Sequence, residues 1–234
     1  MKISKNWAIC IISIVILNIG YTTHAYGQNS VAKIFSVEGQ AEIIRLQSGN
    51  KEDATPGLGL FIGDTVQVGA NGRIALEFSD GAFVRLGNSA RLRLDQQAQD
   101  NSPTLNLASG KAHLLSRDPI RHPSITTPTV TAALRGTEFV IDAASLETEI
   151  SVIEGGVTAF NKYGSLQLNA GEGCLAQNGK APVKLLNINL ANTVRWAVPV
   201  PLQGDWSDLK DNTNPDFSSI VEKFSGAKVT NQID

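Results

Sequence analysis

The sequence predicts an all-β protein in which short antiparallel hairpins stack as a β-roll or solenoid-like array, or as a sandwich. Apolar and polar residues alternate with a period of two in many short segments between residues 31 and 186. Turn-forming combinations such as Ser-Asp-Gly and Asn-Gly separate these segments. The same region has no amphipathic segment of helical period as long as a typical helix, so we expect strands throughout.

The clearest hairpin lies in the first half of this region. Residues 73–78 and 82–86 both alternate, and the intervening Ser79-Asp80-Gly81 supplies a tight turn because glycine tolerates positive φ. Further alternating segments are predicted as separate strands, at residues 91–94, 104–107, 111–115, 138–141, 149–153, 157–160 and 165–168.

Three glycines open similar segments along the chain. Gly39, Gly110 and Gly155 are each followed two positions later by a small residue and then by alternation. Their spacing is too irregular for a propeller but suits corners that recur as a chain winds into a roll or solenoid. Any hairpin-rich sheet produces similar sequence segments of this kind, so a sandwich remains an alternative.

The first 27 residues are predicted to be a signal peptide. Lys2 and Lys5 precede an apolar run at residues 7–20, which is shorter than the roughly 20 residues that span a bilayer. Cleavage is expected after Ala25 or Gly27, and an uncleaved anchor is the alternative. Removal would leave a net charge of 18 − 22 = −4, no transmembrane span and a periplasmic or secreted protein.

The rest of the chain divides into two parts. Residues 28–182 are predicted to form one β domain, and residues 183–234 form an extension that is rich in Pro, Asn and Asp with at most one short helix. With 20 Lys and Arg against 22 Asp and Glu, the chain has no basic excess to neutralise phosphates, so a nucleic-acid partner is not expected.

Residues that could carry chemistry are few. Cys174 is the single cysteine left after signal cleavage and is predicted to be a buried, unreactive thiol. His113 and His122 lack zinc-ligand spacing, and no nucleophile elbow or phosphate loop occurs. Four glutamates could converge as the carboxylate pair of a glycosidase, although solvated strand faces explain them as well: Glu42, Glu77, Glu138 and Glu172. We therefore expect no enzyme and no cofactor.

Five motifs occur in a fixed order between residues 31 and 179. Gly63-Asp64 precedes the Asp80-Gly81 hairpin, residues 86–92 follow, Thr127-Pro128 precedes Arg135-Gly136-Thr137-x-Phe139, and glycine-rich segments lie at residues 152–157 and 170–172. Together they resemble the FecR domain family, named for the periplasmic regulator of ferric citrate uptake. Residues 193–199, which include Trp196, resemble a segment that joins FecR domains to tetratricopeptide repeats in some exported relatives.

The resemblance marks eleven residues as a family signature that is structural or faces a partner: Gly63, Asp64, Asp80, Gly81, Thr127, Pro128, Arg135, Gly136, Thr137, Phe139 and Trp196. Asp64 and Asp80 are expected to stabilise turns through their side chains. For Arg135 we expect a pairing with Glu138 or Asp142 or with loop carbonyls, and ligand binding is the alternative. Trp196 either packs on the sheet or faces a partner.

The resemblance implies a non-enzymatic, exported FecR-domain protein that binds or scaffolds an envelope protein or glycan. FecR-type regulators of sigma factors carry a cytosolic helical arm before one membrane span, and we expect no such arm ahead of the domain here. A periplasmic sensory component of cell-surface signalling, of the kind that regulates iron transport, is the alternative. A hydrolase of envelope polysaccharide is a third possibility.

Overall fold

The computed structural model describes residues 30–96, 103–116, 124–185 and 188. Every regular element in these ranges is a strand, which confirms the all-β prediction. No helix in the described ranges has the length and apolar character needed to span a membrane. The predicted signal peptide and most of the predicted C-terminal extension, including Trp196, lie outside the described residues.

The strands run in chain order as follows: β1 (Ala32–Glu38), β2 (Ala41–Ile44), β3 (Lys51–Asp53), β4 (Gly59–Leu60), β5 (Thr65–Val68), β6 (Arg73–Phe78), β7 (Phe83–Leu86), β8 (Arg91–Gln96), β9 (Pro103–Leu115), β10 (Ser124–Thr126), β11 (Thr131–Ala143), β12 (Glu147–Asn161), β13 (Gly164–Asn169), β14 (Gly173–Gln177) and β15 (Val183–Leu185).

All the strands belong to one branched sheet. Its first half has the order β4-β1-β6-β7-β9-β11-β12-β14-β15, and its second half has the order β3-β2-β5-β8-β9-β10-β11-β12-β13. The long strands β9, β11 and β12 contribute to both halves. Residues 110–115 of β9 pair directly with residues 138–143 of β11. The other halves of these two strands lie apart, and β10 pairs with both of them, so that β9, β10 and β11 form a small closed ring.

Three glycines with positive φ mark the points where the long strands pass from one half to the other: Gly110, Gly136 and Gly155. At Gly155 a Cβ would overlap the carbonyl oxygen of Gly136, and at Gly110 it would lie 2.5 Å from the Cα of Ala90. The chain can bend at these positions because glycine adopts positive φ without a steric penalty and lets another backbone approach closely.

These bends correct the prediction of short antiparallel hairpins. Residues 104–107 and 111–115 are the two halves of β9, and residues 149–153 and 157–160 are the two halves of β12. The glycines interrupt the alternation in the sequence, but the chain bends there without leaving the sheet. In addition, β9 and β10 pair in parallel. The prediction of antiparallel hairpins missed this pair because the hairpin pattern does not specify which strands become neighbours.

The predicted hairpin at residues 73–86 is confirmed. Strands β6 and β7 pair antiparallel, and Gly81 in the turn has a φ of 81°. The Oδ1 atom of Asp80 accepts a hydrogen bond from the backbone N–H of Ala82 at 3.0 Å, which is the turn-stabilising role expected for this residue.

Inward-facing side chains from both halves form one hydrophobic cluster. Leu76, Val84 and Phe139 contribute from the first half, and Leu92 and Leu107 contribute from the second. Because successive side chains of a strand point to opposite faces, this single cluster determines which residues of each strand face outward.

Candidate functional site

The predicted Thr127-Pro128 motif forms a tight turn between β10 and β11. Thr127 donates from its backbone N–H and from its hydroxyl to the carbonyl oxygen of Val130, both at 2.9 Å. The hydroxyl of Thr127 also lies 3.0 Å from that of Thr148, to which Thr129 donates at 2.8 Å. The hydroxyl proton of Thr127 is donated to the carbonyl of Val130, so the hydroxyl of Thr148 must donate to Thr127 and accept from Thr129. Each of these buried hydroxyls therefore has a hydrogen-bond partner.

The side chain of Asn161 joins three turns. Its Nδ2 donates to the carbonyl of Thr129 at 3.0 Å and to that of Lys180 at 2.8 Å, while its Oδ1 accepts from the N–H of Tyr163 at 2.9 Å. Both ends of the bent strand β12 therefore contact the same turn, Thr148 from one end and Asn161 from the other. These bonds fix the turns relative to one another.

The three turns surround an open groove of about 640 Å³. We call it the Thr-Pro groove, and it is lined by Thr127, Pro128, Thr129, Val130, Thr131, Phe160, Asn161, Lys162, Tyr163, Asn178 and Gly179. The side chains of Phe160 and Tyr163 are 40% and 49% exposed. The Nζ of Lys162 lies 4.9 Å from the centroid of the Tyr163 ring, close enough for a cation–π contact. The groove thus combines exposed aromatic rings, a cation and fixed turn backbone.

A second feature, a buried polar cluster, lies away from this groove. The Nε2 of His113 is 2.8 Å from Oε1 of Glu138, and its Nδ1 is 3.4 Å from Nη1 of Arg85. Arginine has no acceptor, so Nδ1 of His113 accepts and Nε2–H donates to the carboxylate, which places a neutral imidazole between a cation and an anion. The pKa of His113 is lowered, chiefly by burial, although the contact with Glu138 acts to raise it.

Gly63 and Asp64 form a separate turn before β5. The buried carboxylate of Asp64 accepts from the N–H of Phe61 at 2.9 Å and binds Nη1 of Arg45 at 2.5 Å. Arg45 also donates to the carbonyl of Gly59 at 3.0 Å. Gly63 has a φ of 92°, and a Cβ there would overlap the side chain of Leu46. These contacts give both signature residues a structural role in this turn.

The Arg135-Gly136-Thr137-x-Phe139 signature lies within β11. Gly136 forms part of the bend, and Phe139 is completely buried in the core. Thr137 is buried with a hydroxyl that has no hydrogen-bond partner in the described part of the chain. The backbone of Arg135 pairs with Gly156, but its side chain lies outside the description. Whether it pairs with Glu138 or Asp142 therefore stays a prediction.

The other residues with chemical potential are dispersed. The four glutamates contact four different basic residues: Glu42 contacts Lys51, Glu77 contacts Lys33, Glu138 contacts His113 and Glu172 contacts Lys184. Cys174 is buried, and burial raises the pKa of its thiol to about 12. Among the described residues, no three His, Cys, Asp or Glu side chains gather closely enough to hold a metal ion.

Among the signature residues whose side chains the structure describes, only Thr127 and Pro128 line the Thr-Pro groove. The structure adds residues that the sequence reasoning did not single out, chiefly Thr148, Asn161 and Tyr163. Asn161 and Tyr163 stand in an Asn-Lys-Tyr-Gly segment that could have been recognised as a turn. No sequence signal places that turn beside Thr127, because the approach depends on the register of β11 and β12, which sets Thr131 opposite Phe160.

Fold and groove define an all-β domain whose surface groove is built from turns. Residues 64–158 match the family model described as FecR protein, which confirms the resemblance found in the sequence. This part of the chain is therefore similar to FecR domains.

Two crystal structures of a protein from Parabacteroides distasonis ATCC 8503, proposed to be an anti-sigma factor, are similar to this chain. Both have 17% sequence identity and a TM-score of 0.46, and the match covers 52% of this chain. It spans 58% of the length of those structures. The comparison with curated proteins found no significant match.

Proposed function

We propose that this protein is a non-enzymatic FecR-domain regulator of cell-surface signalling that binds a protein partner in the Thr-Pro groove. Support comes from the FecR domain at residues 64–158 together with the groove that its Thr127-Pro128 turn helps to form. The proposal extends to an exported protein at the cell envelope, with the two sheet halves packed as a sandwich-like roll.

The observation that carries the binding role is the exposure of two aromatic side chains on a fixed framework. Phe160 lies at the end of β12 and Tyr163 in the turn that follows, where the hydrogen bonds of Asn161 and Thr148 hold the neighbouring backbone in place. Aromatic side chains in a partly enclosed, pre-formed site are typical of the residues that dominate binding energy at protein interfaces. A framework fixed by hydrogen bonds also loses little conformational entropy on binding.

The contacts of the ionisable residues favour binding over catalysis. Catalytic acids and bases work in clefts where the substrate can reach them. Here His113 and Glu138 are buried within the sheet, and each remaining candidate glutamate contacts a lysine on a neighbouring strand. A scaffold role without signalling uses the same groove and is the second candidate, which the experiment below separates.

The test combines a gene deletion with complementation. Deletion should change transcription of an adjacent transport or receptor system, and the wild-type gene should restore it. Tyr163→Ala should fail to restore it, whereas Phe35→Ala should succeed because Phe35 is 51% exposed but lies outside the groove. Unchanged transcription in the deletion strain would refute the regulatory role.

Photo-crosslinking identifies the partner directly. A photoreactive phenylalanine at position 163 should crosslink one envelope protein, and the same group at position 35 should not. A protein captured at position 163 without any transcriptional effect would favour the scaffold role. Binding of the purified protein on glycan arrays that is lost in Tyr163→Ala would identify a glycan instead and contradict the protein partner.

A further inference from the structure

A band across the first half of the sheet is buried on the face that points away from the core. A row of register partners crosses this face from β6 to β14: Ala75, Arg85, His113, Val140, Ser151 and Gly173. We call this row the outer band. Val140 is 4% exposed, Ser151 and His113 are 2% exposed, and Ile153, two positions along β12 from Ser151, is also buried.

No described strand accounts for this burial. The inward-facing residues of both halves share one core cluster, and Ala75, Val140 and Ile153 do not belong to it. On the same face the next row, Lys111, Asp142 and Glu149, is exposed. The cover therefore ends at the band on this side.

The described chain ends beside one end of this band. The side chain of Ile188 lies so close to Gly173 that a Cβ at Gly173 would overlap its Cδ1. Five strand spacings of about 4.8 Å separate β14 from β6, so the band is about 24 Å long. An extended chain that rises about 3.3 Å per residue crosses it in seven or eight residues, which ends near Trp196.

The sequence after Ile188 has the pattern that such a crossing needs. Every second residue is apolar except Asn192: Ile188, Leu190, Val194, Trp196 and Val198. The intervening positions are small or polar: Asn189, Ala191, Thr193, Arg195 and Ala197. A period of two places all the large apolar side chains on one face of an extended segment.

We propose that residues 189–198 cross the outer band as an extended segment and cover it with their apolar face. Leu190, Val194 and Trp196 pack on Val140, Ile153 and their neighbours, and they separate the pair of His113 and Glu138 from water. The segment is then an integral part of the β domain, and the domain ends after residue 198 instead of near residue 182. This inference does not depend on the proposed function.

A proximity experiment in the full chain tests the crossing. Replacing Trp7 and Trp206 by Phe leaves Trp196 as the single tryptophan. Cys10→Ser removes the other native cysteine, and Cys174 is not labelled because it is buried. A nitroxide at Lys111→Cys, beside the band, should quench Trp196 fluorescence severalfold. The same label at Gln167→Cys, exposed on β13 in the second half, should not. Equal quenching by both labels, or by neither, overturns the proposal.

Hydrogen exchange gives a readout that does not depend on labels. Leu190→Asp should accelerate exchange at residues 138–142 and 151–153 about tenfold or more, whereas Thr193→Asp, on the opposite face of the segment, should leave it unchanged. Unchanged exchange in folded Leu190→Asp overturns the proposal. Protection of these residues that depends on protein concentration also overturns it, because that result indicates a second copy of the chain on the band. Protection that is lost only when residues 117–123 are replaced overturns it as well, because that result assigns the cover to those residues.

Discussion

His113 and Glu138 form a buried pair in which the imidazole Nε2 lies 2.8 Å from the carboxylate Oε1. Arg85 contacts the other ring nitrogen from β7, so three strands of the first half meet at this pair. The contact with Arg85 requires an unprotonated Nδ1. A proton added to His113 would place two cations side by side in a region of low dielectric.

The stability of the domain should therefore depend on the charge of His113. Burial lowers the pKa of His113 below its usual 6.5. Below that pH the unfolded chain takes up a proton that the folded chain does not, so the free energy of unfolding should fall as the pH decreases. The slope is at most about 1.4 kcal/mol per pH unit for one proton. Urea denaturation at several pH values between 7 and 5 measures it.

His113→Gln is the matched control for this pH effect. The glutamine amide can donate to Glu138 and accept from Arg85 without taking up a proton. Its free energy of unfolding should vary less between pH 7 and pH 5 than that of the wild type. An identical pH slope in the two proteins would assign the effect to other groups.

Gly155 should tolerate no side chain. Its φ is 77°, and a Cβ would overlap the carbonyl oxygen of Gly136 on the neighbouring strand. We expect Gly155→Ala to lower the free energy of unfolding by about 3 kcal/mol or more, because backbone strain and steric overlap add. Gly171→Ala has a similar φ of 82° but open space around the Cβ, so about 1–2 kcal/mol is expected. Equal losses would show that overlap at the bend is unimportant.

Thr148 should stabilise the turn of Thr127 and Thr129 that lines the Thr-Pro groove. Thr148→Val removes the acceptor of the Thr129 hydroxyl and the donor to Thr127, both of which are buried. The expected loss is about 1–3 kcal/mol in the free energy of unfolding, measured by urea denaturation. Thr158→Val, half-buried on the same strand, should change it by less than about 0.5 kcal/mol. A silent Thr148→Val would mean that the three hydroxyls do not stabilise the turn.

Cys174 should be unreactive in the folded protein. Burial raises the pKa of its thiol to about 12, so almost no thiolate exists at pH 8. In a Cys10→Ser variant, Ellman's reagent should titrate one thiol in denaturant and essentially none without it. Rapid reaction in the native protein would contradict the buried position of the thiol.

The strands were more predictable than their connections. Alternation located β6, β7, β8 and β13, because a strand with one buried face leaves its period in the sequence. The same rule divided β9 and β12 into two strands each, since it cannot distinguish a glycine in a turn from one in a bend. That distinction depends on whether another backbone lies against the glycine, as Gly136 does at Gly155.

For the site, the motif was predictable and its surroundings were not. Thr127 and Pro128 stand out as a turn from their residue types alone. Asn161 lies 34 positions after Thr127, and it reaches the carbonyl of Thr129 because the register of β11 and β12 sets Thr131 opposite Phe160. The pairing of His113 with Glu138 likewise requires β9 and β11 to be neighbours, which residue types do not indicate.

The sequence by itself determined the all-β class, the β6–β7 hairpin and the resemblance to FecR domains, because period, turn residues and ordered motifs are local properties of the chain. Only the tertiary structure decided that β9, β11 and β12 bend through both sheet halves, that Asn161 and Thr148 fix the Thr-Pro groove, and that an imidazole lies between Arg85 and Glu138. These features join residues far apart in the chain, and strand pairing and burial select such contacts.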